Sequence, residues 1–337
     1  MNEADRLANA PHPRSVYALQ GHEEAEAALA RALSGGRLHH GWLIMGPEGV
    51  GKATLAYRFI RRLLGAAPAP GGPLSASPED PVCRMIEALS HPDFLLIRRP
   101  WEEGAARPKN EIPAEEARRL SGFFSLKPAL GGRRVALIDA ADDLNRQGAN
   151  GILKALEEPP PGGVVIILAH SPGAVLPTIR SRCRRIMLRP VAGAAGGLAG
   201  GRPGRALALE AAGGAGLYRL CAAALEAAPR APLGAQTAFA ARAGATEASF
   251  SICADMIADW LARAGRAGAG LAVAEIEPGE SAAMARFAAQ VGPGRLAAAW
   301  EETRAIARQT EALNLDRVAS ILAMLRAIGA ASGARAA

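Results

Sequence analysis

The first half of the chain alternates short apolar runs with longer stretches in which apolar residues recur every three or four positions. That alternation predicts parallel strands joined by helical crossovers. WLIMG at 42–46 is the first strand and runs into a glycine-rich stretch; residues 50–64 follow as a helix with Leu55, Phe59, Ile60 and Leu63 on one face. FLLIRR at 94–99 is a second strand, and IPAEEARRLSGFFSL at 112–126 predicts a helix opened by proline with acidic residues in its first turn. RRVALIDAAD at 133–142 predicts a third strand ending in a carboxylate, then a helix over about 145–157 that the prolines at 159–161 stop. GVVIILAHS at 163–171 and RRIML at 184–188 complete the set, as a buried fourth strand and a short fifth.

Strands of this kind predict one three-layer α/β domain over residues 1–190, with a Pro/Gly/Ser-rich exposed loop at 65–81. From 191 to about 215 the chain becomes Ala/Gly-rich, which predicts a linker into a small helical domain over 191–234. An all-helical domain over 235–337 follows. Its clearest segment is NLDRVASILAMLRAIG at 314–329, where Asp316 can cap and Val318, Ile321, Leu322, Leu325 and Ile328 form one apolar stripe.

With 337 residues, half of them hydrophobic, the chain can bury sizeable cores in two or three domains. Its net charge of +7 is spread along the sequence, which permits an anionic partner without pointing to one. Of 39 basic residues only Lys52, Lys109, Lys127 and Lys154 are lysine, so a lysine at position 52 is informative. Cys83, Cys183, Cys221 and Cys253 lie too far apart for metal-ligand spacing or a disulfide framework, and a reducing compartment is expected. The start lacks a basic, apolar signal segment, and the longest apolar run, 164–169, is far short of a membrane span; a cytoplasmic protein without membrane contact is expected.

Candidate chemistry centres on GPEGVGKAT at 46–54. Gly46, Gly49, Gly51 and Lys52 fit G-x-x-G-x-G-K between a strand and a helix, the setting in which backbone N–H groups wrap phosphates and the lysine meets the outer ones. The hydroxyl that should follow the lysine and hold magnesium is replaced by Ala53. Thr54 is a poor substitute, because one step along a helix turns a side chain by about 100°. Asp139 stands where a second magnesium-orienting carboxylate belongs, yet Ala140 occupies the place of the water-activating glutamate. Loss of a general base removes ~10²- to 10⁴-fold in rate. The loop is inherited and hydrolysis is not expected, whereas weak retention of ATP or ADP stays open. His39 and His40 have no partner cluster and are expected in packing roles.

LHHGWLIMGPEGVGK at 38–52, HPDFLLI at 91–97, LEEPP at 156–160 and LPTIRSRC at 176–183 together resemble the bacterial clamp loaders of the AAA+ class, in particular the delta-prime type. The resemblance covers residues 12–190 well; the remainder matches mainly in length and in LNLDR. It implies an α/β P-loop (AAA+) domain with a five-stranded parallel sheet, a small helical lid and an all-α C-terminal collar. It also implies that Arg182, the arginine of SRC, projects as a finger in trans onto the γ-phosphate held by a neighbouring subunit. Implied partners are tau/gamma-type motor subunits and a delta-type subunit, with the sliding clamp and primer-template DNA reached through the complex.

Four departures qualify the likeness. Motor-type relatives carry Gly-Lys-Thr and Asp-Glu where this chain has Lys52-Ala53 and Asp139-Ala140. Relatives with a four-cysteine zinc site hold it between the first helix and the second strand; only Cys83 remains there, and one thiolate cannot hold a tetrahedral ion, so no zinc is expected. Arg205, in GRPGRAL at 201–207, and Ser171, after the fourth strand, are weak counterparts of the two sensors. Two rival readings are an ATP-hydrolysing motor-type subunit, which Ala53 and Ala140 oppose, and a small-molecule P-loop kinase, which leaves LEEPP and SRC unexplained.

Overall fold

The computed structural model describes residues 3–7, 10–36, 38–102, 105, 108–130, 132–171, 173, 175–191, 196–228 and 231–331. Residues 192–195 of the expected linker lie outside that set. The chain forms two compact units, one of Met1–Ala194 with Gly201–Arg205, the other of Ala195–Gly200 with Ala206–Ala337.

The first unit runs α1 (Glu23–Ser34), β1 (Gly41–Met45), α2 (Lys52–Leu63), α3 (Pro81–Glu87), β2 (Phe94–Arg98), α4 (Ala114–Phe124), β3 (Arg134–Asp139), α5 (Arg146–Glu157), β4 (Gly163–Ala169), α6 (Pro177–Ser181) and β5 (Arg184–Met187). Its five strands form one parallel sheet in the order β2-β3-β4-β1-β5. Helices cover both faces, so both sets of alternating strand residues are apolar. Trp42, Ile44, Val135, Leu137 and Ile166 pack with Leu55, Phe59 and Ile60 of α2 on one side. Leu43, Met45, Ala136, Ile138 and Ile167 pack with Leu120, Ile152 and Leu156 of α4 and α5 on the other. This is the expected α/β P-loop sheet. The helix after the glycine loop starts at Lys52 rather than 50, with Gly51 at its N-cap, and Asn145 caps α5 by accepting from Gly148 N at 2.7 Å.

The 65–81 stretch, expected to be an exposed loop, is anchored and partly buried. Ala66, Leu74, Ser75 and Ala76 are buried, and Cys83 of α3 packs against Ala66 and Ala76. The anchor is a buried ion pair. Arg58 of α2 donates to Glu26 of α1 at 2.7 Å and to Gly71 O at 2.9 Å, and Leu74 N donates to Glu26 at 3.3 Å. A lone arginine in an arginine-rich helix reads as a solvated side chain; its partner 32 residues upstream decides otherwise.

The second unit is wholly helical among the described residues: α7 (Gly196–Ala199), α8 (Pro203–Ala211, whose first residues belong to the first unit), α9 (Gly214–Ala227), α10 (Leu233–Ala243), α11 (Glu247–Gly268), α12 (Glu280–Val291), α13 (Pro293–Leu313) and α14 (Arg317–Ala331). Helices therefore fill part of the stretch expected to be a linker. Its core gathers Ile257, Trp260 and Leu261 of α11 with Phe287, Ile321, Leu325 and Ile328. Asp316 caps α14, accepting from Ala319 N at 2.7 Å. The sequence-distant Cys221 and Cys253 meet here, buried as thiols with their sulfurs 3.7 Å apart. Among the described residues no helix is long and apolar enough to cross a membrane.

Candidate functional site

The glycine loop leaves the C-terminal end of β1 and needs its glycines. Gly46, Gly49 and Gly51 have φ of 151°, 76° and 110°, a region L side chains rarely adopt. A Cβ on Gly46 would stand 2.5 Å from Leu188 O, and one on Gly49 would stand 2.8 Å from the backbone nitrogen of Arg205. Gly204 N donates to Gly49 O at 2.8 Å, so the 203–205 segment lies directly on the loop. Thr54 is half-buried on α2, and Ala53 packs at the edge of the core beneath it.

Lys52, only 5% exposed, turns back on its own loop. Its Nζ donates to Gly46 O at 2.8 Å, Pro47 O at 3.0 Å and Nδ1 of His170 at 2.9 Å, which accounts for all three ammonium donors. Burial brings the Lys52 ammonium down to about 8, against the pull of Asp139, Glu48 and Asp142. Asp139, at the end of β3, moves the opposite way. Burial pushes its carboxyl up to about 8, with Asp5 adding to the effect and Lys52 opposing it. His170 is a site residue that the sequence did not point to. Asp142 accepts from His170 N at 2.7 Å and Ser171 N at 3.1 Å, which fixes the end of β4 and aims the imidazole at Lys52. Ser171 itself is exposed, its hydroxyl accepting from Gly173 N at 3.3 Å. Among the described residues no group of three His, Cys, Asp or Glu side chains could hold a metal ion.

Arg182 lies at the other end of β1, about 13 Å of strand away. It is the C-cap residue of α6, with 36% of its side chain exposed. Nη1 donates to Thr178 O at 3.0 Å, and Nη2 pairs with Glu157 at 2.9 Å. The beginning of β1 builds this corner. A Cβ on Gly41 would stand 3.0 Å from Leu156, 3.1 Å from Arg182 O and 3.1 Å from the sulfur of Cys183, so α5 and the SRC turn pack tightly on the strand here. His40 Nε2 donates to Leu156 O at 3.0 Å, while His39 stacks on His40 with ring centres 4.5 Å apart. Burial, helped by His39, lowers the affinity of His40 for a second proton. Burial also pushes the Cys183 thiol up to about 12, in keeping with a small packed hydrophobe. The LHHG, LEEPP and SRC signatures, dispersed between residues 38 and 183, thus meet at one corner.

The family described as "DNA polymerase III, delta subunit" matches residues 21–192, just over half of the chain, and this span holds both the glycine loop and the Arg182 corner. The chain belongs to that family. Similar proteins include DNA polymerase III subunit delta' of Pseudomonas aeruginosa, 37% identical over 174 residues, covering 51% of this chain and 50% of the relative. Subunit delta' of Escherichia coli is 32% identical over 162 residues, covering 48% of this chain and 46% of the relative. Subunit tau/gamma of Haemophilus influenzae is 33% identical over 186 residues, covering 54% of this chain and 25% of the relative. The chain thus spans about half the length of the delta' relatives and a quarter of that tau/gamma protein. All three alignments stop well short of the whole chain, so the helical unit is supported by its own packing.

Proposed function

We propose that this chain is a non-hydrolysing, delta-prime-type clamp-loader subunit that lends Arg182 to the ATP site of a neighbouring motor subunit and so helps set a sliding clamp on primed DNA. The carrying observation is the placement of Arg182. A partly exposed guanidinium at the far end of β1 from its own glycine loop sits where another chain can reach it. Stabilisation of the charge that develops on a departing phosphoryl group by such a residue is worth ~10³- to 10⁵-fold.

The glycine loop supports the silent half of the reading. Its lysine donates to protein acceptors, the magnesium hydroxyl is missing at Ala53 and the general base is missing at Ala140. What the loop residues Gly46, Gly49, Gly51 and Lys52 could still supply is a cradle of N–H groups that holds ATP or ADP weakly, without hydrolysis. No cofactor is required, and zinc is not part of the protein. The motor subunits are of tau/gamma type, a delta-type subunit completes the ring, and the clamp and primer-template DNA are met through the assembly. The helical unit divides into a lid over 191–234 and a collar over 235–337 that joins the ring.

The test is reconstitution with motor subunits, delta-type subunit, clamp and primed DNA, with ATP turnover read in the assembly and in the isolated chain. The isolated chain is inactive, and the assembly carrying Arg182→Ala forms but turns over slowly. Brisk turnover by the isolated chain would instead identify an ATP-hydrolysing motor-type subunit.

A further inference from the structure

We infer that Glu157 is a positioning residue for Arg182, presetting the guanidinium for the neighbouring triphosphate; this rests on the finger reading above.

Glu157 occupies the last turn of α5. A carboxylate there faces the negative end of the helix dipole, and Glu158 beside it adds a second negative charge, so local energetics disfavour acid at this position. The structure compensates with Arg182, whose Nη2 lies 2.9 Å from Glu157 Oε1. Both side chains are substantially exposed, 36% for Arg182 and 49% for Glu157, so the pair is screened and contributes little to folding stability. Its effect is on conformation.

A long arginine side chain samples many rotamers. Here two contacts hold it: Nη1 donates to Thr178 O, and Nη2 forms an ion pair with Glu157. The rest of the fork stays available for phosphate oxygens, so a carboxylate on one edge and a phosphate on another can be served together. Glu157 is itself held in place. The end of α5 is tied to the start of β1 by the hydrogen bond from His40 to Leu156 O, and the absence of a side chain at Gly41 lets Leu156 and Arg182 O approach the same point. The frame that carries the carboxylate and the frame that carries the guanidinium are therefore joined at one corner. Preorganisation of this kind raises turnover without changing how tightly the neighbour binds its nucleotide, because the finger's gain is realised as charge develops.

The experiment places Glu157→Gln, Glu157→Ala and Glu157→Asp in the reconstituted assembly and measures kcat and KM for ATP beside Arg182→Ala. The Gln and Ala variants should lower kcat by roughly 3- to 10-fold, the loss expected of a mispositioned but present group, and should leave KM for ATP within about twofold. Aspartate, which keeps the charge on a shorter arm, should recover most of the loss. Melting of the isolated chain and incorporation into the assembly should match the unsubstituted protein in all three. The Arg182→Ala, Glu157→Ala double variant should be no slower than Arg182→Ala alone. Unchanged or increased kcat in Glu157→Ala, with Arg182→Ala slow, overturns the positioning role and leaves the finger standing. Normal turnover in Arg182→Ala removes the finger reading itself. A loss of kcat in Glu157→Ala that persists undiminished on the Arg182→Ala background shows that Glu157 acts by another route and overturns the inference.

Discussion

Strand β1 carries a different kind of cationic group at each end. At its C-terminal end the Lys52 ammonium is buried and all of its donors end on protein acceptors; at its N-terminal end the Arg182 guanidinium is half-exposed and tethered by two contacts. Desolvation decides the contrast. A buried ammonium must be satisfied internally or give up its proton, and here its proton affinity falls to about 8. An exposed guanidinium can exchange its partners at small cost. On the proposed reading, one sheet keeps the frame of a nucleotide loop at one end of β1 while the other end offers a group to another chain.

The strongest test of that contrast is Arg182→Ala in an assembly in which only the adjoining motor site is competent. Turnover should fall by ~10³-fold, measured as phosphate release. Gly49→Ala probes the packed end. With φ at 76° and Arg205 N 2.8 Å from the new Cβ, the substitution should destabilise the α/β unit by about 1–3 kcal/mol in urea unfolding. The carboxyl of Asp139 separates the two ends by pH. Folded it titrates at about 8, and unfolded near ~4, so across that window the folded chain holds a proton that the unfolded chain has lost. Stability therefore declines as pH rises from 4 through 8 and levels off above. Asp139→Asn should flatten this slope by on the order of 3–4 kcal/mol between pH 5 and pH 8. Lys52 contributes in a separate window, because its folded value of about 8 lies below its ordinary 10.5. Its cost is absent above 10.5, grows as pH falls towards 8 and is fully present below. The smallest effect belongs to Lys52→Ala, which should change turnover of the assembly by less than about twofold; a large loss would mean that both ends serve the reaction.

Much of this was readable from patterns of short range. Strand runs at 42–46, 94–99 and 163–171 stand out because both faces of a covered parallel sheet are apolar, and the glycine loop stands out because its backbone tolerates no side chain. Harder to read were residues whose partners are remote. His170 gains its role from Lys52, 118 positions away, and from Asp142, which aims it. Glu157 reads as a helix-terminating acid until Arg182 closes beside it. Arg58 and Glu26, 32 positions apart, together anchor the 65–81 stretch. His39 and His40 suggested packing, and packing is what they do, with His40 tying α5 to β1.

Residue order alone settled the class of fold and the glycine-rich run that ends in Lys52-Ala53, since each depends on neighbours within a few positions. Which cation is sequestered and which is displayed was set by folding, because solvent exclusion and Coulomb pairing depend on distances through space. Lys52 and Arg182 are both basic letters in the sequence. Gly46 O, Pro47 O and His170 enclose one, while Thr178 O and Glu157 hold the other at the surface.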